Sequence, residues 1–523
     1  MSICRRFCRV LWLPVEPGAC CAGRHYHQGI RDRFHGASRM GVRGAFLWAS
    51  FGRYLVMSIN LAVAIVVARL IGPAAFGVSV LGSSVFVIAE AFREFGGGAY
   101  LIQQKGLTPK KVRTSITISI LVSVAISLCL YFSAGFIANF YGLTEVGRYI
   151  KIATIGYLLG SFVFPVFALL NREMEFRTFA LINILMALSG GLTSIWLAKL
   201  GFGFLSLAWA ATASAASGSI LCLLLYADRS IYRPSLSEWR SVMGFGAFDS
   251  AAALVSAIGE YAPYLIIGRT LDSASVGLAQ RAVLISVFPE RVILAGVGAV
   301  MLPIFSRSVR DKSDTKAIYL SALELITAVH WPCLVLLAAL STPLISLLLG
   351  PQWLDVAPLV RILCLAAAFS FPWALQYPVL VAVGAVRKLP FLVAVQAVLN
   401  TAAVALVAGH GLLAISWCLV GIVPLNALIA VAVVRRYLDF GWGDFFGALR
   451  KSILLSILSS LGPTYLIFTH GGPDSLSIEA GALGVSLSLA GWGIGLVITH
   501  HPLLQQLVRA CVILRRKVAV QMS

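Results

Sequence analysis

The sequence predicts an all-α polytopic membrane protein of about 14 transmembrane helices, arranged as two six-helix lobes related by a parallel repeat. Three observations lead to this prediction. Long apolar runs fill the chain from Phe46 to Thr499, the charged residues between them alternate sides, and two similar segments lie about 200 residues apart. The 523 residues are 59% hydrophobic and 12% charged, with a mean hydropathy of +0.90. Soluble domains of this size do not have such a composition.

Each apolar run is long enough to cross a bilayer, because roughly 20 helical residues at about 1.5 Å each span about 30 Å of hydrocarbon. The predicted spans, in order, are 46–70, 76–101, 114–140, 149–170, 178–199, 203–226, 246–267, 276–303, 319–348, 358–383, 389–408, 412–434, 452–468 and 479–499.

The distribution of Lys and Arg predicts the topology. About 24 of these residues lie in alternate loops, whereas the opposite loops hold about five. Because short basic loops stay in the cytoplasm, we expect both termini to be cytoplasmic and the protein to be a multi-pass protein of the cytoplasmic (inner) membrane. The net charge of +20 follows from this topology, so it does not indicate nucleic acid binding.

The spans divide the chain into five segments. Residues 40–226 form an N-lobe of spans 1–6, and residues 246–434 form a C-lobe of spans 7–12. A cytoplasmic linker, 227–245, joins the lobes, and 435–523 adds two spans and a basic tail. Residues 1–39 are a basic extension with four cysteines and three histidines but no apolar core of signal-peptide length. We expect translation to begin at Met40.

The sequence lacks the motifs that two classes of function require, ATP-driven pumping and metal binding by paired cysteines. The chain lacks the Gly-x4-Gly-Lys-Ser/Thr loop of ATP-driven pumps, and its scattered cysteines show no paired metal-ligand spacing. We therefore expect no cofactor, no resident metal and no catalytic residue. A polytopic polysaccharide polymerase or ligase remains an enzymatic alternative, but no outward loop exceeds about a dozen residues.

An internal repeat supports the two-lobe architecture. The segment from Val67 to Gly77 reads VARLIGPAAFG, and the segment from Ile267 to Gly277 reads IGRTLDSASVG. A second pair is Phe164-Pro165 in span four and Phe371-Pro372 in span ten. Six spans separate the copies, so the two lobes share one orientation, which suits alternating access around a central cavity.

Ionisable residues inside the spans are candidates for function, because a charge at mid-membrane costs about 2.5 kcal/mol or more. Glu90, Arg93 and Glu94 share one face of span two. Arg281 in span eight lies nine residues from Glu290, hence on the opposite helix face, and must find another partner. Arg53 lies in span one, and Glu260 lies alone in span seven.

The chain resembles the Wzx-type oligosaccharide flippases of polysaccharide biosynthesis, in the superfamily that also holds the multidrug antiporters and the lipid II flippases. The resemblance covers about 46–450 and rests on five motifs in order. They are the ARLIGPxxFG segment at 68–77, ALLNREMEFR at 168–177, LIIGR at 265–269 with Gly277, LPxFSR at 302–307 and LLGPQW at 348–353.

This resemblance implies transfer of an undecaprenyl-pyrophosphate-linked oligosaccharide across the membrane. It also implies contact with membrane lipid and cooperation with a polysaccharide polymerase and a chain-length regulator. In the similar lipid II flippases the cavity arginines come from helices one, two and eight, which here carry Arg53, Arg93 and Arg281. We assign these three to the pyrophosphate, and Glu90, Glu94 and Glu260 to a coupling ion. The alternative is an ion-coupled multidrug or small-cation antiporter of the same fold, in which a cluster of unpaired arginines would be out of place.

Overall fold

The computed structural model describes residues 42–93, 97–104, 106–226 and 229–509, and these residues contain helices and no strands. The all-α prediction is therefore confirmed. In chain order the helices are α1 Val42–Leu70, α2 Pro73–Arg93, α3 Gly98–Gln103, α4 Pro109–Tyr141, α5 Thr144–Arg172, α6 Phe176–Lys199, α7 Leu205–Leu225, α8 Trp239–Thr270, α9 Ser273–Arg310, α10 Thr315–Ala339, α11 Ser341–Leu348, α12 Val356–Ala367, α13 Trp373–Ala382, α14 Leu389–Val407, α15 Leu412–Leu438, α16 Trp442–Thr469 and α17 Ile478–Ile498.

Eleven of the described helices are long and apolar enough to cross a membrane. Helices α8 and α9, with 32 and 38 residues, are not among these eleven. The exact number of 14 spans stays a prediction, because the predicted tenth span is not one continuous helix.

The predicted tenth span, 358–383, is wrong as a single helix. The structure breaks it into α12 and α13, with Ser370, Phe371 and Pro372 between them. Proline lacks an N–H donor and disfavours helical backbone in the residue before it. The related Phe-Pro pair in the N-lobe has no such effect, because α5 continues through Pro165.

Two other predicted spans are also divided. The second, predicted over 76–101, is helix α2 to Arg93, and the short helix α3 begins at Gly98 after Gly97, whose φ is 78°. The ninth, predicted over 319–348, consists of α10 and the short helix α11. The apolar pattern continues through the break in the ninth span, so composition alone does not reveal it, whereas the second span carries Arg93, Glu94 and three glycines at its break.

The two copies of the repeat meet directly, and we call their meeting the repeat contact (residues 67–77 against 267–277). A methyl group on Gly77 would lie 1.6 Å from the carbonyl oxygen of Ser273, and one on Gly277 would lie 2.3 Å from that of Pro73. Each glycine therefore faces the backbone four residues before the other glycine. The contact is reciprocal, as expected for two elements related by a two-fold axis, and no larger residue fits at either position.

Helices α16 and α17 pack on each other and on α10 and α11 of the C-lobe. The Trp492 indole donates to the carbonyl of Ala328 at 2.9 Å, and Thr327 donates to Ser452 at 2.9 Å. At the end of the bundle near the repeat contact, Arg361 forms an ion pair with Asp474 in the turn between α16 and α17.

Candidate functional site

Arg93 is the last residue of α2 and is buried inside the N-lobe. It forms an ion pair with Glu90, one turn earlier on the same helix. Its guanidinium also lies over the rings of Tyr157 and Phe164 of α5, 5.3 and 5.0 Å from their centroids. A methyl group on Gly160 of α5 would approach the guanidinium to 3.1 Å, so the glycine leaves room for it. The sequence spacing placed Glu90 and Arg93 on one helix face, and the structure shows them paired, with aromatic faces against the cation.

Arg53 lies on α1, where its side chain is exposed and no hydrogen bond or ion pair joins it to another described residue. It precedes Leu70, the end of α1, by 17 residues, which corresponds to about 26 Å along the helix. Arg93 follows the start of α2 by 20 residues, or about 30 Å. Both arginines therefore lie far from the repeat contact, toward the basic loops. Glu94 lies outside the described residues.

Arg281 occupies a different place. Its guanidinium lies 4.0 Å from the ring centroid of Phe76, in the first turn of α2, and 5.6 Å from that of Trp353. The residue is 5% exposed, it forms no ion pair among the described residues, and its Nε atom has no hydrogen-bond partner. Aromatic faces supply its electrostatic stabilisation in place of a carboxylate.

The structure does not bring the three predicted arginines together. Arg281 contacts the first turn of α2, and Arg93 ends the same helix 17 residues after Phe76, about 26 Å away. In this conformation one pyrophosphate cannot contact both. In the C-lobe, Arg291 lies at a depth similar to that of Arg93, 18 residues into α9, or about 27 Å, and is exposed.

Glu260 lines a cavity of about 150 Å³ in the C-lobe, enclosed by α8, α9, α12, α14 and α15. Most of the lining is apolar, but Tyr264, Asn400 and Ser416 contribute polar atoms. Asn426 is fully buried and donates to Asn400 at 3.1 Å, while its own side-chain oxygen has no partner. One acid with several neutral oxygen atoms can bind a proton or a small cation.

Sequence reasoning did not assign a role to Glu290, which the structure places at the break between α12 and α13. The hydroxyl of Ser370 donates to Glu290 Oε2 at 2.6 Å. The Trp331 indole donates to the carbonyl of Ala368 in the same break, at 2.6 Å. Pro372 was the available signal, since helix breaks inside the membrane need side chains to satisfy the freed backbone groups.

Two helical lobes that meet through a structural repeat, with charged side chains inside the helices, are typical of membrane transporters. Residues 66–358 match the family described as "Polysaccharide biosynthesis protein". The chain belongs to that family, which confirms the resemblance stated from the sequence motifs.

Individual relatives agree with this assignment. The teichuronic acid biosynthesis protein TuaB of Bacillus subtilis (strain 168) is 24% identical over 385 residues, covering 71% of this chain and 77% of TuaB. The succinoglycan biosynthesis transport protein ExoT of Rhizobium meliloti (strain 1021) is 24% identical over 450 residues, covering 85% and 90%. The lipid II flippase MurJ, in an inward closed conformation, has a TM-score of 0.69 at 14% identity, covering 88% of this chain and 100% of that one. This last likeness confirms the fold.

Proposed function

We propose that this protein is a flippase that moves an undecaprenyl-pyrophosphate-linked oligosaccharide from the cytoplasmic to the periplasmic leaflet. The observation that carries the proposal is the set of arginines at one depth on both lobes. Arg53 and Arg291 are exposed without an ion-pair partner among the described residues, and Arg93 lies at a similar distance from the repeat contact. Guanidinium groups bind phosphate oxygens bidentately and stay charged, so this arrangement suits a pyrophosphate.

The geometry modifies the pyrophosphate site that the sequence suggested. We assign first capture of the pyrophosphate to Arg53, Arg93 and Arg291, which lie toward the basic loops. Arg281 remains a candidate ligand, but only for a conformation in which Phe76 and Trp353 have moved away from it. The glycan would occupy the space between the lobes, and the prenyl chain would remain in lipid.

Coupling to an ion is a second part of the proposal. Glu260 is the candidate for binding the coupling proton or sodium ion, supported by the neutral oxygen atoms of Asn400 and Ser416 in its cavity. Glu90 and Glu94 are the other candidates, although Glu90 already holds Arg93. We infer no catalytic step, since transport needs none.

We also propose that the protein lies in the cytoplasmic membrane with both termini and the basic loops in the cytoplasm. A polysaccharide polymerase and a chain-length regulator are the partners expected to act on the translocated repeat unit. The resident lipids would contact the long apolar faces of the helices.

The decisive experiment uses a strain that lacks this gene and a plasmid that restores it. We expect lipid-linked repeat units to accumulate in the cytoplasmic leaflet and the secreted polymer to disappear. Wild-type protein should restore the polymer, whereas R93Q and R291Q should restore less than about a tenth, since a charge-assisted phosphate contact is lost. The variant R361Q is the matched control, because Arg361 is paired with Asp474 away from the proposed site. Normal polymer from the R93Q and R291Q strains would exclude these arginines from the pyrophosphate site. Unchanged polymer together with altered drug sensitivity in the deletion strain would favour the antiporter.

A further inference from the structure

The repeated motif has an arginine in each copy, and both arginines reach across to the opposite lobe. Arg69, near the end of α1, donates from Nε to the carbonyl of Leu348 at 3.3 Å and from its terminal nitrogen to that of Leu347. Both carbonyls lie at the end of α11, in the C-lobe.

Arg269, its counterpart near the end of α8, makes the corresponding contact in the other direction. Its guanidinium lies over the ring of Phe140 at the end of α4, 5.2 Å from the centroid. Helix α4 is the third span of the N-lobe, and α10 with α11 forms the third predicted span of the C-lobe. Each arginine therefore contacts the same end of the third span in the opposite lobe, which repeats the reciprocity of Gly77 and Gly277.

Two further donors strengthen the contact on one side only. Gln352 Nε2 donates to the carbonyl of Ala68 at 2.8 Å, and the Trp353 indole donates to the same oxygen at 2.8 Å. A helix C-terminus leaves carbonyls without intrahelical donors, and these two side chains satisfy one of them. They come from the turn between α11 and α12, so they also join the C-lobe to α1.

At one pair of corresponding positions, one lobe has an apolar residue and the other lobe has a charged one. Leu81 of α2 packs against Gly268, so closely that a methyl group there would lie 2.4 Å away. The residue at the corresponding position of α9 is Arg281, held between Phe76 and Trp353. Thus the same contact that joins the lobes also buries a cation that has no carboxylate partner among the described residues.

We propose that the repeat contact is the gate at one end of the transport path. In this account Arg69 and Arg269 hold the gate closed, and opening it exposes Arg281. The inference rests on the proposed transport function together with the alternating access that the repeat suggests, and it does not depend on which molecule is transported. It assigns a role to the sequence repeat, whose residues are not part of the proposed pyrophosphate capture site.

The test measures the distance between the lobes without substrate. Spin labels are placed at L200C in the N-lobe and L413C in the C-lobe, both exposed residues near the gate, after replacement of the ten native cysteines. Double electron–electron resonance then gives the distance distribution of the full chain. We expect R69Q and R269Q each to increase the long-distance population roughly three- to tenfold, as for loss of one charge-assisted contact.

The control is R361Q, which also removes an arginine at this end of the bundle but breaks a pair within the C-terminal half of the chain. It should leave the distribution unchanged. Unchanged distributions in both R69Q and R269Q, or an equal shift in R361Q, would overturn the proposal. Monodisperse elution confirms that each variant is folded. Because the two arginines lie in different lobes, either variant alone can test the proposal if the other does not fold. Failure here would leave the flippase assignment intact, because the deletion strain tests that separately.

Discussion

At the scale of single residues, the structure stabilises two buried guanidinium groups in different ways. Arg93 has both a carboxylate and aromatic faces, whereas Arg281 has aromatic faces alone. Leaving one member of a buried ion pair alone is costly, and a buried cation with no pair depends on its rings. This difference distinguishes a cation that has a carboxylate partner from one that has none among the described residues.

Glu90 and Arg93 can be separated by a double-mutant cycle. We expect E90Q to lower the free energy of unfolding by about 1–3 kcal/mol, below the usual cost of breaking a buried pair because Glu90 is 38% exposed. The double variant E90Q/R93M should recover most of that stability yet export no polymer. Thermal unfolding in detergent and polymer assays measure the two effects. Recovery of export in the double variant would show that Arg93 serves only to neutralise Glu90.

The sequence placed Glu90 and Arg93 on one helix face because they lie three residues apart. It could not predict the surroundings of Arg281, since Phe76 and Trp353 are distant in the chain and come from different helices. Helical spacing excluded Glu290 as a partner, which is consistent with the hydrogen bond between Glu290 and Ser370. Long-range side-chain contacts of this kind are not encoded in local periodicity.

At the scale of helices, the two related Phe-Pro dipeptides differ in their effect on the helix that contains them. Phe-Pro is accommodated within α5 at Pro165, but it accompanies a break at Pro372, where Ser370 and Trp331 form hydrogen bonds. The sequence indicated a related position in both lobes and could not distinguish them. Freed backbone groups in a membrane need partners, and the Trp331 indole supplies one to the carbonyl of Ala368 at the break.

The break at Ser370 predicts a stability effect. S370A should lower the free energy of unfolding by about 1–3 kcal/mol, because the carboxyl group of Glu290 loses its hydrogen-bond donor. S370T keeps a hydroxyl and should be close to wild type. Thermal unfolding of the purified variants checks this expectation. Equal loss in S370T would point to packing rather than the hydrogen bond.

The close approach at Gly77 predicts a conformational effect. G77A places a methyl group 1.6 Å from the Ser273 carbonyl oxygen, so the gate cannot close without displacement of α2 or α9. We expect more of the long-distance population between labels at 200 and 413, and lower export. The matched control is G135A on α4, where a methyl group would contact nothing within 4 Å. A normal distance distribution in G77A would contradict this expectation.

At the scale of the whole molecule, the sequence was most informative where one pattern repeats over many helices. Hydropathy predicted the all-helical fold, and the repeat predicted that segments near Gly77 and Gly277 correspond. The sequence did not reveal that Arg53, Arg93 and Arg291 lie at similar distances from the repeat contact, because those distances depend on where the two lobes touch. Placing Arg281 at that contact, apart from Arg93, required the three-dimensional structure.

The proposed topology predicts opposite labelling of two exposed residues. L200C lies at the repeat-contact end, and V386C lies beside the basic pair Arg387-Lys388. We expect a membrane-impermeant maleimide to label L200C on intact cells whose outer membrane admits the reagent. V386C should react only after the inner membrane is permeabilised, because basic loops remain cytoplasmic. The reverse labelling would invert the orientation proposed here.

Four hydrogen bonds at the gate are accepted by the main-chain carbonyls of Ala68, Leu347 and Leu348. Their donors are the side chains of Arg69, Gln352 and Trp353. A carbonyl persists whatever side chain its residue carries, so these hydrogen bonds restrict the identity of the donor residues and not that of the acceptor residues. Pairwise covariation between homologous sequences should therefore miss these contacts, although they join the two lobes.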